Sequence, residues 1–164
     1  MNSRYFLATL FPLVLVACQH TPSDCGELPD DVHVGNAGCM IIHDQKVLMV
    51  QQRVSGKWSL PGGTAESGER AACTAQRETR EETGLEVSLK HKILTLQNGF
   101  HLYRCAAESI DDAGSVDRLE IADWKFFDDR ERKDIPWRFE AQRELIDRLV
   151  REQLQLDNEV SGHP

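Results

Sequence analysis

Two apolar runs, separated by a short polar break, dominate the first third of the chain after residue 33. In "GCMIIHDQKVLMVQQR", residues 38–53, the break is His43-Asp44-Gln45-Lys46. Runs of this length around a polar turn predict a β-hairpin. A short strand over Trp58–Leu60 leads into Pro61-Gly62-Gly63, a turn sequence. From Glu69 to Thr83 there is neither glycine nor proline, which predicts a helix, and Gly84 is placed to end it. Strands are expected over 85–96 and 100–107, then a polar loop, "ESIDDAGSVDR", then a strand in "LEIADWKFFD". After Pro136, the positions Phe139, Leu145, Ile146, Leu149 and Val150 lie near helical spacing and predict an amphipathic C-terminal helix. The tail from 156 is expected to fray. Together these give one α/β domain over 34–155, a mixed sheet with helices packed on it.

The first 33 residues follow another pattern. Arg4 precedes a run from Tyr5 to Ala17 that is apolar apart from Thr9. A bilayer span needs ~20 apolar residues, so the run is too short to cross. It has the length of the hydrophobic region of a secretory signal. It ends in Leu15-Val16-Ala17-Cys18, and residues 19–33, "QHTPSDCGELPDDVH", read as a tether. The sequence Leu15–Cys18 resembles the lipobox of bacterial lipoproteins. That resemblance implies removal of residues 1–17 and lipid attachment at Cys18. Gln19 in the next position implies sorting to the outer membrane, facing the periplasm. A buried N-terminal element ending in cysteine is the structural alternative.

The chain has 164 residues and a formal charge of −8. Such an acidic domain is ill suited to a nucleic-acid polymer, whose phosphates call for lysine and arginine. A small anionic substrate stays open, because a divalent cation reverses the local field. Beyond Cys18 there remain Cys25, Cys39, Cys73 and Cys105. Their wide spacing does not fit a zinc ribbon. In an oxidising compartment they allow three pairings, with four reduced thiols as the other outcome.

The densest charge pattern is "RETREETG", Arg77 to Gly84. On a helical wheel with Glu78 at 0°, Glu82 falls at about 40° and Glu81 at about 300°, one acidic stripe. Ala72, Ala75 and Thr79 fall between about 60° and 120°, a small-residue face suited to a sheet. The stripe thus adjoins the buried face, where three ionised carboxylates need a counter-charge. A hard cation such as Mg²⁺, which takes oxygen ligands, would supply it. Cys73 falls near 220°, away from the packed face. An exposed thiol there invites pairing, and Cys25 is one partner.

The spacing also fits a named signature. Gly63, five residues, Glu69, seven residues, then Arg77-Glu78-Thr79-Arg80-Glu81-Glu82-Thr83-Gly84-Leu85 resembles the Nudix hydrolase motif at every fixed position. Thr79 stands where the family mostly has an aliphatic residue, a departure in packing alone. The resemblance implies the Nudix fold, a mixed sheet sandwiched between helices. It implies that Glu78, Glu81 and Glu82, with the Gly62 carbonyl, ligate the metal. Glu78 would activate the attacking water, while Arg77 and Glu69 pair to hold the loop. Gly62 and Gly63 leave room for a phosphate. The implied reaction is hydrolysis of the pyrophosphate bond of a nucleoside diphosphate linked to a group X. A nucleoside triphosphate pyrophosphohydrolase of the nucleotide-sanitising type, and an idle Nudix fold acting as a ligand sensor, are the alternatives; a structural lipoprotein without a ligand is a third. Trp58 is a candidate for stacking on a base, with a core role as the other reading. Glu108 and Glu120 are candidates for a further acid. His101 and Tyr103 share one face of a strand, lining a cleft or capping the sheet.

Overall fold

The structure is a computed structural model; it describes Cys25, Leu28, residues 31–111 and residues 119–161. The expected signal segment, Cys18, most of the 108–118 loop and the last three residues of the tail lie outside the described residues.

The hairpin forms where the apolar runs place it. Strands β1 (Ala37–His43) and β2 (Lys46–Gln52) are antiparallel, with Ile42 opposite Val47 and His43 opposite Lys46. The two linking residues, Asp44 and Gln45, have φ of 47° and 61°. Two consecutive positive φ values make the turn whose twist matches the flanking strands. Beyond the turn the strands part and recruit different partners. β1 pairs in parallel with β6 (His101–Ala107), which pairs antiparallel with β5 (Val87–Thr95). β2 pairs with the two-residue β3 (Trp58–Ser59) and with β7 (Ile121–Phe127). A two-residue β4 (Gly62–Gly63) lies against the start of β1, giving a seven-stranded mixed sheet.

Alternate residues of β1 serve two cores. Ala37, Cys39 and Ile41 join Tyr103, Cys105 and Leu85 beneath helix α1 (Ala71–Thr83), which contributes Ala71, Ala72 and Ala75. Met40, with Met49, Leu102 and Phe127, faces helix α3 (Arg143–Ser161) through Ile146, Leu149 and Val150. Each of these larger side chains contributes roughly 1.5–3 kcal/mol by leaving water. The small residues of α1 let it lie close on the sheet, as the wheel requires. The result is the expected mixed sheet between helices. A short helix α2 (Glu131–Asp134) precedes α3, and its fully buried Arg132 pairs with Asp147 of α3 at 3.0 Å.

Three expectations change. Phe139 is not on the α3 stripe; it precedes a 3-10 turn over Glu140–Gln142, and its ring is half-exposed. The Arg138 N–H donates to the Trp58 carbonyl at 2.7 Å, which holds the chain extended there and delays the helix. The helix then runs on to Ser161 rather than fraying from 156, and Arg104 reaches Asp157 at 2.7 Å on that last stretch. Cys73 is buried rather than exposed, because it is bonded to Cys25. Cys39 and Cys105, on the paired strands β1 and β6 and inaccessible to solvent, form a second disulfide.

Candidate active site

The loop before α1 is held by one ion pair. Arg77 Nε donates to Glu69 Oε1 and Nη2 to Glu69 Oε2, both at 2.9 Å. The same guanidinium reaches the Thr64 carbonyl at 2.9 Å, Glu78 at 3.0 Å and Glu81 at 3.1 Å. All five N–H donors of the arginine are thereby used. The bond to Arg77 pulls the Glu69 carboxyl below its ordinary range, against the effect of burial. Glu69 also accepts from the Glu66 N–H and the Thr74 hydroxyl, which stitches the loop to the first turn of the helix. The pairing implied by the motif is present.

The helix C-terminus carries the other carboxylates. Gly84 takes φ of 74° and its N–H donates to the Arg80 carbonyl at 2.7 Å, which ends α1 after the glutamates. Glu82 is buried beneath β4, and its Oε2 accepts from the Gly62 N–H at 2.8 Å. Burial pushes its carboxyl up to about 8, and the charge of Glu78 adds to the rise. Burial also raises Glu78. Glu81, half-exposed, turns outward onto Arg77. Among the described residues no three acidic, histidine or cysteine side chains converge as a finished metal site. What stands ready is the buried Glu82 and the largely shielded Glu78, whose charges lack full compensation, with Glu81 at the rim.

The glycines have a more specific use than room for phosphate. A Cβ on Gly63 would overlap the Glu78 carboxyl. One on Gly62, whose φ is 146°, would overlap Gly38 and Ala37 of β1. The space spared is occupied by the protein's own carboxylate and strand. Gly62 also meets the motif through its N–H, which donates to Glu82.

Gly62 and Gly63 also form part of the wall of a cavity of about 230 Å³. The turn after β5 contributes Leu96, Asn98 and Phe100; the segment before α3 contributes Trp137, Arg138, Phe139 and Gln142. Trp58 is not in this wall. Its ring is buried edge-on against Phe127 at 4.7 Å, the core reading, while its neighbours Ser59 and Leu60 reach the cavity. His101 and Tyr103 are also absent from it; both are buried on the α1 side of the sheet, where they cap it. Glu120 lies near enough to Glu78 for its charge to raise that carboxyl, whereas the Glu108 N–H is bonded to the Glu86 carbonyl at the other end of β6. Helical spacing places "WRFEAQ" at the opening of a helix and so conceals the aromatic wall. Its signal was the pair of large aromatics flanking an arginine straight after a proline.

A family model described as the NUDIX domain matches residues 32–149. The chain belongs to the Nudix family. Similar proteins include an uncharacterized Nudix hydrolase, YvcI, of Bacillus subtilis (strain 168), 45% identical over 30% of this chain and 31% of its own. Nucleoside diphosphate-linked moiety X motif 6 of Xenopus laevis is 39% identical over 42% of this chain and 33% of its own. The chain thus spans about a third of the length of these curated Nudix relatives. An ADP-ribose pyrophosphatase from Streptococcus suis matches in fold with a TM-score of 0.62 and 20% identity, over 72% of this chain and 90% of that one.

Proposed function

We propose that the protein is a metal-dependent pyrophosphatase that hydrolyses a nucleoside diphosphate linked to a second group. The observation that carries this reading is the shared wall. Gly62 and Gly63 touch the carboxylates of Glu82 and Glu78 and also line an aromatic cavity. A substrate seated in the cavity brings its phosphates to the carboxylates. The names of the relatives, one of them a nucleoside diphosphate-linked moiety X motif protein, support the same substrate class.

The donor set fits a hard divalent cation, Mg²⁺ or Mn²⁺. Two carboxylates driven up by burial and by each other are relieved by such a charge, and their oxygens are the ligands it prefers. Glu78 and Glu82 would hold it, with Glu81 turning in from the rim. When bound, the ion neutralises phosphate charge and lowers the pKa of water. Arg77 and Glu69 fix the loop so that Glu78 keeps its place against Gly63. Glu78 then accepts the proton of the attacking water. The water oxygen bonds to one phosphorus, and the bridging P–O bond breaks to leave two phosphate monoesters. Positioning is most of such catalysis.

The cellular setting belongs to the same proposal: attachment through Cys18 to the envelope membrane, with the domain in the periplasm. Two disulfides support it, since oxidised pairs persist outside the reducing cytoplasm. Replacing Cys18 with serine should abolish incorporation of labelled fatty acid and leave the precursor uncleaved. A wild-type protein that retains Met1 in the cytosol would end the anchoring idea.

The test of the activity is Mg²⁺-dependent release of phosphate monoesters across a panel of nucleoside diphosphate compounds, with Glu82→Gln as control. Turnover that vanishes in the variant and in chelator is expected. A protein that binds Mg²⁺ yet turns over no panel member is instead a ligand sensor.

A further inference from the structure

Arg138 has no part in the family motif. We propose that it is the specificity-determining cation of this site, which selects diphosphate over monophosphate by binding the phosphate that lies beyond the metal-side carboxylates. The inference rests on the pyrophosphatase reading above and adds a residue to it.

Three observations carry it. First, Arg138 is the only charged side chain among the described residues that line the cavity. The neighbouring carboxylates Glu78 and Glu82 add negative charge beside the glycines, and the one cation among them, Arg77, is bound to Glu69, Glu78 and Glu81. A diphosphate entering the cavity brings at least two further negative charges and needs a cation there. Second, Arg77 cannot serve. Its donors are already committed to Glu69, Glu78, Glu81 and the Thr64 carbonyl. Arg138, in contrast, is exposed, and no described residue accepts a hydrogen bond from its guanidinium. Its planar fork matches phosphate oxygens.

Third, Arg138 is placed in advance. The Trp58 N–H donates to the Pro136 carbonyl at 2.8 Å, and the Arg138 N–H returns to the Trp58 carbonyl at 2.7 Å. These bonds zip residues 136–138 onto β3 as a parallel bridge. Trp137 between them is buried, its indole N–H donating to the Arg132 carbonyl at 2.9 Å. The backbone of Arg138 is therefore fixed on both sides. Its guanidinium lies 5.1 Å from the centre of the Phe139 ring, which favours the cation from the cavity wall. Its charge also reaches Glu82, so the cation sits where the carboxylates meet the cavity. The fixed backbone spares the cost of ordering that segment when a phosphate docks, which leaves only the side chain to be immobilised. Trp58 thus supports the substrate through its backbone rather than its ring.

The test is calorimetric titration of imidodiphosphate, a non-hydrolysable diphosphate, in Mg²⁺, with orthophosphate alongside. Arg138→Ala should weaken imidodiphosphate at least tenfold and leave orthophosphate within about twofold, with a shallower dependence on salt. Arg138→Lys, which keeps the charge and loses the fork, should fall between. Arg138 is exposed, so its thermal midpoint should stay that of the wild type; if Arg138→Ala melts lower, the lysine variant decides. Wild-type affinity for imidodiphosphate in Arg138→Ala overturns the proposal, as does an equal loss for both anions. Wild-type protein that binds no imidodiphosphate in Mg²⁺ overturns the underlying pyrophosphatase reading and this proposal together.

Discussion

Glu82 Oε2 accepts the Gly62 N–H at 2.8 Å, and this bond joins the last turn of α1 to β4. It fixes a carboxylate where its charge is costly. Glu82→Gln keeps an acceptor for the same N–H and removes the charge. With the proposed metal ligation by this carboxylate, turnover should fall by about a hundredfold or more. The melting temperature in chelator should hold or rise. An isosteric variant that melts well below wild type in chelator would show that the charge stabilises the fold.

The same group sets a pH dependence for the metal-free protein. Its folded value, about 8, lies above the ordinary 4.5. Stability from the neutral form is present below 4.5 and lost as pH rises through about 8. Metal-free wild type should therefore melt progressively lower from pH 5 to pH 8. Glu82→Gln should lack that component, and added Mg²⁺ should restore the loss in wild type. Parallel melting curves for the two proteins in chelator would refute it.

Asp31 gives the opposite sign. Burial works against its charge, but the neighbouring Tyr103 hydroxyl, the His33 N–H at 3.0 Å and the His33 ring at 2.6 Å outweigh it and hold it at about 2. Its contribution is present above the ordinary 3.8 and is lost as pH falls toward 2. Wild type should lose about 2 kcal/mol more than Asp31→Asn across that window. Urea titrations at pH 5 and pH 2.5 measure the difference.

Arg77→Ala removes the partner of Glu69 and of Glu78 together. Both carboxylates are mostly shielded from water, with side-chain exposures of 12% and 15%. Leaving them unpaired should cost about 3 kcal/mol in urea unfolding. Arg77→Lys should recover only part, because lysine cannot form the two-pronged bond to Glu69.

The two disulfides should open in order. Cys25 is partly exposed, whereas Cys39 and Cys105 are shut inside the sheet. Mild reductant followed by alkylation and mass spectrometry should label Cys25 and Cys73 first. The Cys25–Cys73 bond spans 48 residues, so its loss should destabilise the fold by up to about 4 kcal/mol on a chain-entropy argument. Simultaneous labelling of all four cysteines would contradict this order.

The hairpin, α1 and its stop, and the pairing of Glu69 with Arg77 were legible in the sequence. Each depends on local period, on turn chemistry or on the fixed spacing of a motif, and these survive in one dimension. Glu78, Glu81 and Glu82 were rightly placed on one stripe, yet only packing separated them. Glu82 is buried under Gly62, Glu78 against Gly63, and Glu81 is left at the rim. The cavity was not legible. It joins a turn after β5 to a segment before α3, and periodicity assigned Phe139 to the helix because nothing local records that Trp58 holds Arg138 extended. The sequence determined which residues carry charge and which turn bears them. Tertiary structure decided which charges are desolvated and what faces them, because burial and opposition depend on segments far apart in the chain.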